Sequence, residues 1–171
     1  MKSELRSIQE WYKYNSYVRK KYLQAIFKKI PEKERYKAKG ASFPSIVDIF
    51  VHVLDAYRFW FLFVYQDRVS EMWRLRERKR YSGNEVVKEE RKIDRFVMNF
   101  VNRLTTRDLD KDISFRDGNK LYTIELRYIL LHMVEEELQH RGEMNALFWQ
   151  MDIDPPVIGI DDLKQRIRKI D

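Results

Sequence analysis

Cysteine is absent from this 171-residue chain, and glycine and proline are scarce, at five and four residues. The first absence excludes disulfides, thiolate metal ligands and a cysteine nucleophile, and it fits a reducing cytoplasm. Any thiol chemistry then requires a thiol from outside. The second shortage, with 44% hydrophobic and 36% charged residues, argues against a disordered or β-rich chain and for a mostly helical one. Its length is that of one ordinary domain with a core of its own, so residues 1–171 are expected to form a single domain. No long apolar run is present either. Residues 1–30 lack the apolar core of a signal peptide, and Arg58 interrupts the most apolar stretch, Ile46 to Tyr65. A soluble cytoplasmic protein with no membrane partner is expected.

Charge is unevenly spread. Residues 1–41 carry twelve Lys/Arg against four Asp/Glu, and residues 66–95 ten against seven, within a net charge of +7. Such a balance can attract nucleic acid. The basic segment Arg74 to Arg80 is interleaved with Glu71 and Glu77, and no helix-turn-helix or zinc finger is recognisable. A charged, heat-tolerant surface is the favoured reading, and nucleic acid is disfavoured as a partner.

Periodicity gives four long helices. From Ser3 to Ile30, apolar residues at Ile8, Trp11, Val18, Tyr22, Ile26 and Ile30 recur at helical spacing until Pro31. Ser45 and Asp48 have the spacing of a capping box, opening a second helix with a broad apolar stripe from Ile46 to Val64 and His52 at its edge. After the charged passage Gln66 to Tyr81, Ser82-Gly83-Asn84 can cap a third helix running to about Leu104. Alternation between Ile113 and Tyr122 around Asp117-Gly118 predicts a hairpin. Thr123 is the candidate cap of a fourth helix through about Met151, which Pro155-Pro156 forbids from continuing, and a short helix is expected after Asp161-Asp162.

The fold class expected is all-α: an up-and-down four-helix bundle with a short hairpin-like insertion before the last long helix. Aromatic residues in excess of one bundle's needs predict a homodimer formed side by side along helices.

Chemistry concentrates on the fourth helix. Two of only three histidines, His132 and His140, lie there with Glu136 midway, so steps of four put all three on one face. A His/carboxylate pair at this spacing can grip one ion, and His52 on the facing apolar helix is the obvious further donor. The bland alternative stands beside it. Glu135, Glu136 and Glu137 are consecutive, so one carboxylate falls on any chosen face, and a lone His52 can simply be a hydrogen-bonded structural residue.

The segment Leu131-His132-Met133-Val134-Glu135-Glu136-Glu137-Leu138-Gln139-His140-Arg141-Gly142-Glu143, followed by Asp154-Pro155-Pro156, resembles the signature of the DinB/YfiT-like family, a histidine-rich helix ending in His-Arg-Gly and a Pro-Pro exit. Tyr14-Asn15, Ser42-Phe43, Ser45, His52 within Val51 to Leu54, Trp60 and Phe115 to Thr123 extend the resemblance over nearly the whole chain. It implies a metal-binding four-helix bundle with ligands His52, Glu136 and His140, Glu136 standing where the family usually has histidine. It implies a supporting role for His132, which remains the alternative to Glu136 in the ligand set. Asn15 is a further candidate to touch the site, with packing as the other reading. Gly142 is expected to permit close helix approach, and Arg141 to pair with a carboxylate.

The same resemblance implies one divalent ion (Zn, Ni, Mn or Fe), an exogenous low-molecular-weight thiol, a small-molecule substrate, and a metal-dependent transferase or hydrolase. A metal or ligand scaffold without turnover is the other expectation. An anionic Glu136 in place of a neutral histidine should make bound water or thiol less acidic than in the usual site.

Overall fold

The computed structural model describes residues 2–65, 82–156 and 158–161. Helix α1 spans Lys2–Lys29, a one-turn α2 Glu32–Arg35, α3 Ile46–Tyr57, α4 Gly83–Arg103 and α5 Leu126–Gln150. A 3-10 turn, Thr106–Asp110, precedes the antiparallel hairpin β1 Asp112–Asp117 and β2 Lys120–Glu125. The result is the expected all-α four-helix bundle with a hairpin before its last helix, but α3 and α4 run the same way, so its helices go up-down-down-up and not alternately up and down. No helix among the described residues is long and apolar enough to cross a membrane.

Local chemistry sets most of the boundaries. Ser45 caps α3 by accepting the Asp48 N–H, and Ser82 caps α4 in a capping box with Glu85. Arg35 closes α1 from below. Its guanidinium donates to the carbonyls of Phe27 and Ile30, which the last turn leaves without intrahelical donors. Gly118 takes φ +58° as the first residue of the two-residue hairpin loop Gly118-Asn119, one residue later than the sequence places the turn.

Two expectations at the helix ends are corrected. Thr123 does not cap the last helix. It is paired with Ser114 inside the hairpin, whose register runs on to Glu125, and the Leu126 N–H bonds to the Lys111 carbonyl. Strand pairing wins over the local capping preference, and α5 begins two residues later, behind Glu125. The apolar run after Tyr57 is not regular α-helix either, because Arg58–Val64 form a π-helical segment. Arg58 lies 5% exposed there and is paired with Asp55 and Glu89, so the charge that interrupts the run is neutralised inside the bundle. The passage Gln66 to Tyr81 and the helix expected after Asp161-Asp162 lie outside the described residues, apart from Asp161.

Contacts give the helix directions. Tyr12 meets Phe61 while Arg19, further along α1, lies over the Tyr57 ring, so α1 and the α3 segment are antiparallel. Arg58 reaches Glu89 and Phe61 meets Phe100, which makes α3 and α4 parallel. Glu4 pairs with Arg127 near one end, and Tyr22 bonds Asn145 towards the other, so α1 and α5 are parallel as well. The core falls into two apolar clusters. One surrounds Ile26, Ile49, Phe50 and Phe148, the other Phe61, Val97, Leu130 and Met133.

Between the clusters sits a buried polar knot. Arg19, 5% exposed, bonds Glu137, bonds Asp94 at 2.9 Å and faces Glu90 at 3.5 Å. Burial pushes the Glu90 carboxyl up, against the pull of Arg19. Burial also opposes the charge of Asp94, but hydrogen bonds from Lys20 and Ser16 and the Arg19 charge outweigh it and hold that carboxyl below its usual value. A lowered folded-state pKa stabilises the fold above the unfolded value and loses that contribution as pH falls through the folded one. Asp94→Asn should therefore flatten the decline of melting temperature as pH falls below about 4, the usual aspartate pKa. An unchanged slope in thermal melts would contradict this.

Candidate metal centre

Three side chains from two facing helices converge at the centre of the bundle's α3/α5 face. His52 lies in the second turn of α3, and Glu136 and His140 are one turn apart on α5, so antiparallel packing brings their polar ends to one point. Glu136 Oε1 is 2.7 Å from His52 Nε2 and 3.1 Å from His140 Nε2. One ligand atom from each residue lies within 4.8 Å of the others. The set grades outward. His140 is 5% exposed at its side chain, Glu136 15% and His52 34%, so the site opens on the His52 side.

The surroundings hold the rings in place. Phe43 stacks on His52 with ring centres 4.1 Å apart and meets the edge of His140 at 5.6 Å. Its neighbour Ser42 donates to Glu143, whose Oε2 is 3.4 Å from His140 Nδ1. His140 Nδ1 is buried without a well-formed hydrogen bond. The arrangement fits a divalent cation. With Nδ1–H turned to the Glu143 carboxylate, His140 offers its Nε2 lone pair to the ion, the tautomer that metal-bound histidines adopt beside a carboxylate. Two imidazole nitrogens and one carboxylate oxygen suit zinc and the neighbouring first-row divalent ions.

The family model described as "DinB family" matches residues 1–165. The chain belongs to the DinB family. Among solved structures the fold is similar to that of a DinB-like protein, YjoA, from Bacillus subtilis, with a TM-score of 0.64 at 14% identity over 88% of this chain and 96% of that one. No curated protein matches the sequence.

For this DinB-family chain, the other sequence candidates fall outside the three-residue cluster. His132, one turn before Glu136, packs against the Trp60 ring at 5.3 Å, with Nδ1 3.9 Å from Glu135. Asn15 is fully buried, and its Oδ1 accepts from Arg141 at 2.9 Å. Arg141 also donates to the Tyr14 hydroxyl at 2.9 Å, and that hydroxyl donates to the Ile158 carbonyl at 2.6 Å. Tyr14-Asn15 and Arg141 thus lock α1, α5 and the chain beyond Pro156 together, and Arg141 also makes a long ion pair with Glu137 at 3.9 Å.

Gly142 does not serve close packing inside the bundle, because a Cβ there would meet nothing within 4 Å. Sequence reasoning missed Glu143 and the packing role of Phe43. Glu143 lies three residues after His140, hence on the same helical face, and that spacing is the signal that could have found it.

Proposed function

We propose that this DinB-family chain binds one divalent metal ion through His52, Glu136 and His140 and acts as a metal-dependent enzyme on a small molecule, using a low-molecular-weight thiol or water for transfer or hydrolysis. The observation that carries the reading is the convergence of those three donors with one flank open. A bound ion would supply a Lewis acid that lowers the pKa of a thiol or water. The chain's own part is positional. Phe43 holds the planes of both imidazoles, Glu143 orients His140, and the partly exposed edge of His52 leaves room for a ligand. The absence of cysteine supports an external thiol, since the chain has none to offer or to compete for the ion.

Untagged protein should contain close to one divalent ion per chain and, once metal-loaded, consume electrophile in the presence of a low-molecular-weight thiol or hydrolyse it without one. Cobalt-substituted protein should gain a near-ultraviolet absorption on addition of the thiol if thiol is the nucleophile. Protein that refuses zinc, nickel, manganese and iron would end the metal reading. Protein that takes metal but neither binds thiol nor turns over any electrophile would leave a scaffold.

A further inference from the structure

The groove between α3 and α5 continues past the three metal donors towards the hairpin. The two helices are antiparallel, so pairs across the groove recur in steps of four on each. His52 meets the His140 ring with centres 4.8 Å apart, and two turns further along α3 the Trp60 ring meets His132 at 5.3 Å. By the same step Ala56 falls opposite Glu136, and its methyl group fills little of the space between the two pairs. Four residues rise about 6 Å, which puts the Trp60–His132 pair one such step from Glu136 along the groove.

Trp60 owes its place to the π-helical segment. The Tyr65 N–H bonds the Trp60 carbonyl five residues back, so each residue of Arg58–Val64 turns through less than the 100° of an α-helix. Trp60 therefore stays nearer the line of His52 and Ala56 than a regular helix would hold it. Phe115 of β1 meets the indole edge-to-face at 5.9 Å, which puts the hairpin behind Trp60 at that end of the groove. Trp60 and His132 are both partly exposed. His132 Nδ1 faces Glu135, and neither His132 Nε2 nor the Trp60 indole N–H has a hydrogen-bond partner among the described residues.

We propose that Trp60 and His132 form a subsite for the planar, uncharged aromatic part of the electrophile that reacts at the metal centre, an assignment that rests on the metal-centre reading above. Two ring systems meeting at an angle offer flat apolar faces to a flat group. The free indole N–H donates and His132 Nε2 donates or accepts, which suits an uncharged polar substituent such as an amide. Apolar walls with a few placed polar groups are the usual make-up of a small-molecule site. An anionic substituent is disfavoured, because the Glu135 carboxylate stands beside His132 and like charges brought together repel. Continuity along one groove leaves the reactive end of such a molecule at His52, Glu136 and His140.

Cinnamamide, which is planar and neutral, tests the subsite against cinnamate, its anionic counterpart, and 3-cyclohexylpropanamide, its saturated one. Binding is measured on metal-free protein, so that it is read apart from metal uptake. Cinnamamide should shift the Trp60 indole N–H resonance, identified by its loss in Trp60→Leu, and bind about ten-fold more tightly than either analogue, the upper range of one aromatic contact. Trp60→Leu and His132→Ala should each weaken cinnamamide several-fold, with helical circular dichroism and zinc uptake as in the parent. A resonance that does not move, or variants that bind cinnamamide as the parent does, would overturn the subsite. Equal binding of the cyclohexyl amide would overturn its preference for a planar group, and equal binding of cinnamate its preference for an uncharged one. Cinnamamide bound at Trp60 of a protein that refuses every divalent ion would end the metal reading instead, and with it the assignment of this ligand as a substrate.

Discussion

Glu136→Ala is expected to empty the metal centre, and Glu136→His to keep it filled. Among the described residues, the Glu136 carboxylate is the one acidic group within hydrogen-bond reach of both His52 Nε2 and His140 Nε2. Its loss leaves two imidazole nitrogens where a catalytic site has three protein ligands and a structural one four. His52→Ala and His140→Ala should be equally empty. His132→Ala and Glu135→Ala should bind as the parent does, because His132 sits against Trp60 and Glu135 is exposed on the outer face.

Glu137→Ala is not a fair control, although it too lies one residue from Glu136, since its carboxylate is buried against Arg19. Glu143→Gln should bind the ion about 10–100-fold more weakly, the usual cost of removing a group that orients a ligand. Metal analysis and competition titration decide the matter. Binding that survives in Glu136→Ala and disappears in His132→Ala would make the ligand set His52, His132 and His140.

Arg19→Ala should be the most destabilising single change outside the apolar core. Burial works against the guanidinium's charge, but Glu137, the Tyr57 phenol, Glu90 and Asp94 together outweigh it, and the pKa is raised. Truncation leaves Glu137 and Glu90, 5% and 1% exposed, without their cation. Breaking a buried ion pair from one side costs about 3–5 kcal/mol. At roughly 2–4 °C per kcal/mol for a chain of this size, the melting temperature should fall by about 6–20 °C. Arg19→Lys should recover part of the loss, because an ammonium keeps the charge but cannot fork between Glu137 and Asp94. A melting temperature within about 2 °C of the parent, under a kcal/mol on that scale, would show that the carboxylates find other partners or take up protons without cost.

The number of long helices, their caps at Ser45 and Ser82 and the hairpin around Gly118 were legible along the chain, because each depends on residues within one turn or one loop of each other. So was the pairing of Glu136 with His140, since a step of four on a helix fixes which side chains are neighbours. Local signals failed where a longer-range one competed. Thr123 lost its cap to the β1/β2 register, which is set across the hairpin. The same holds for Glu137, which a linear reading places among three equivalent glutamates and which the fold pairs with a residue 118 positions away.

That His52 reaches Glu136 across 84 residues, that Phe43 stacks on His52, and that Glu143 stands behind His140 are decided by the packing of α3 on α5. Helical periodicity states which residues share a face of one helix. Only the interlocking of side chains between helices sets how far each slides and turns against its neighbour, and so which faces meet.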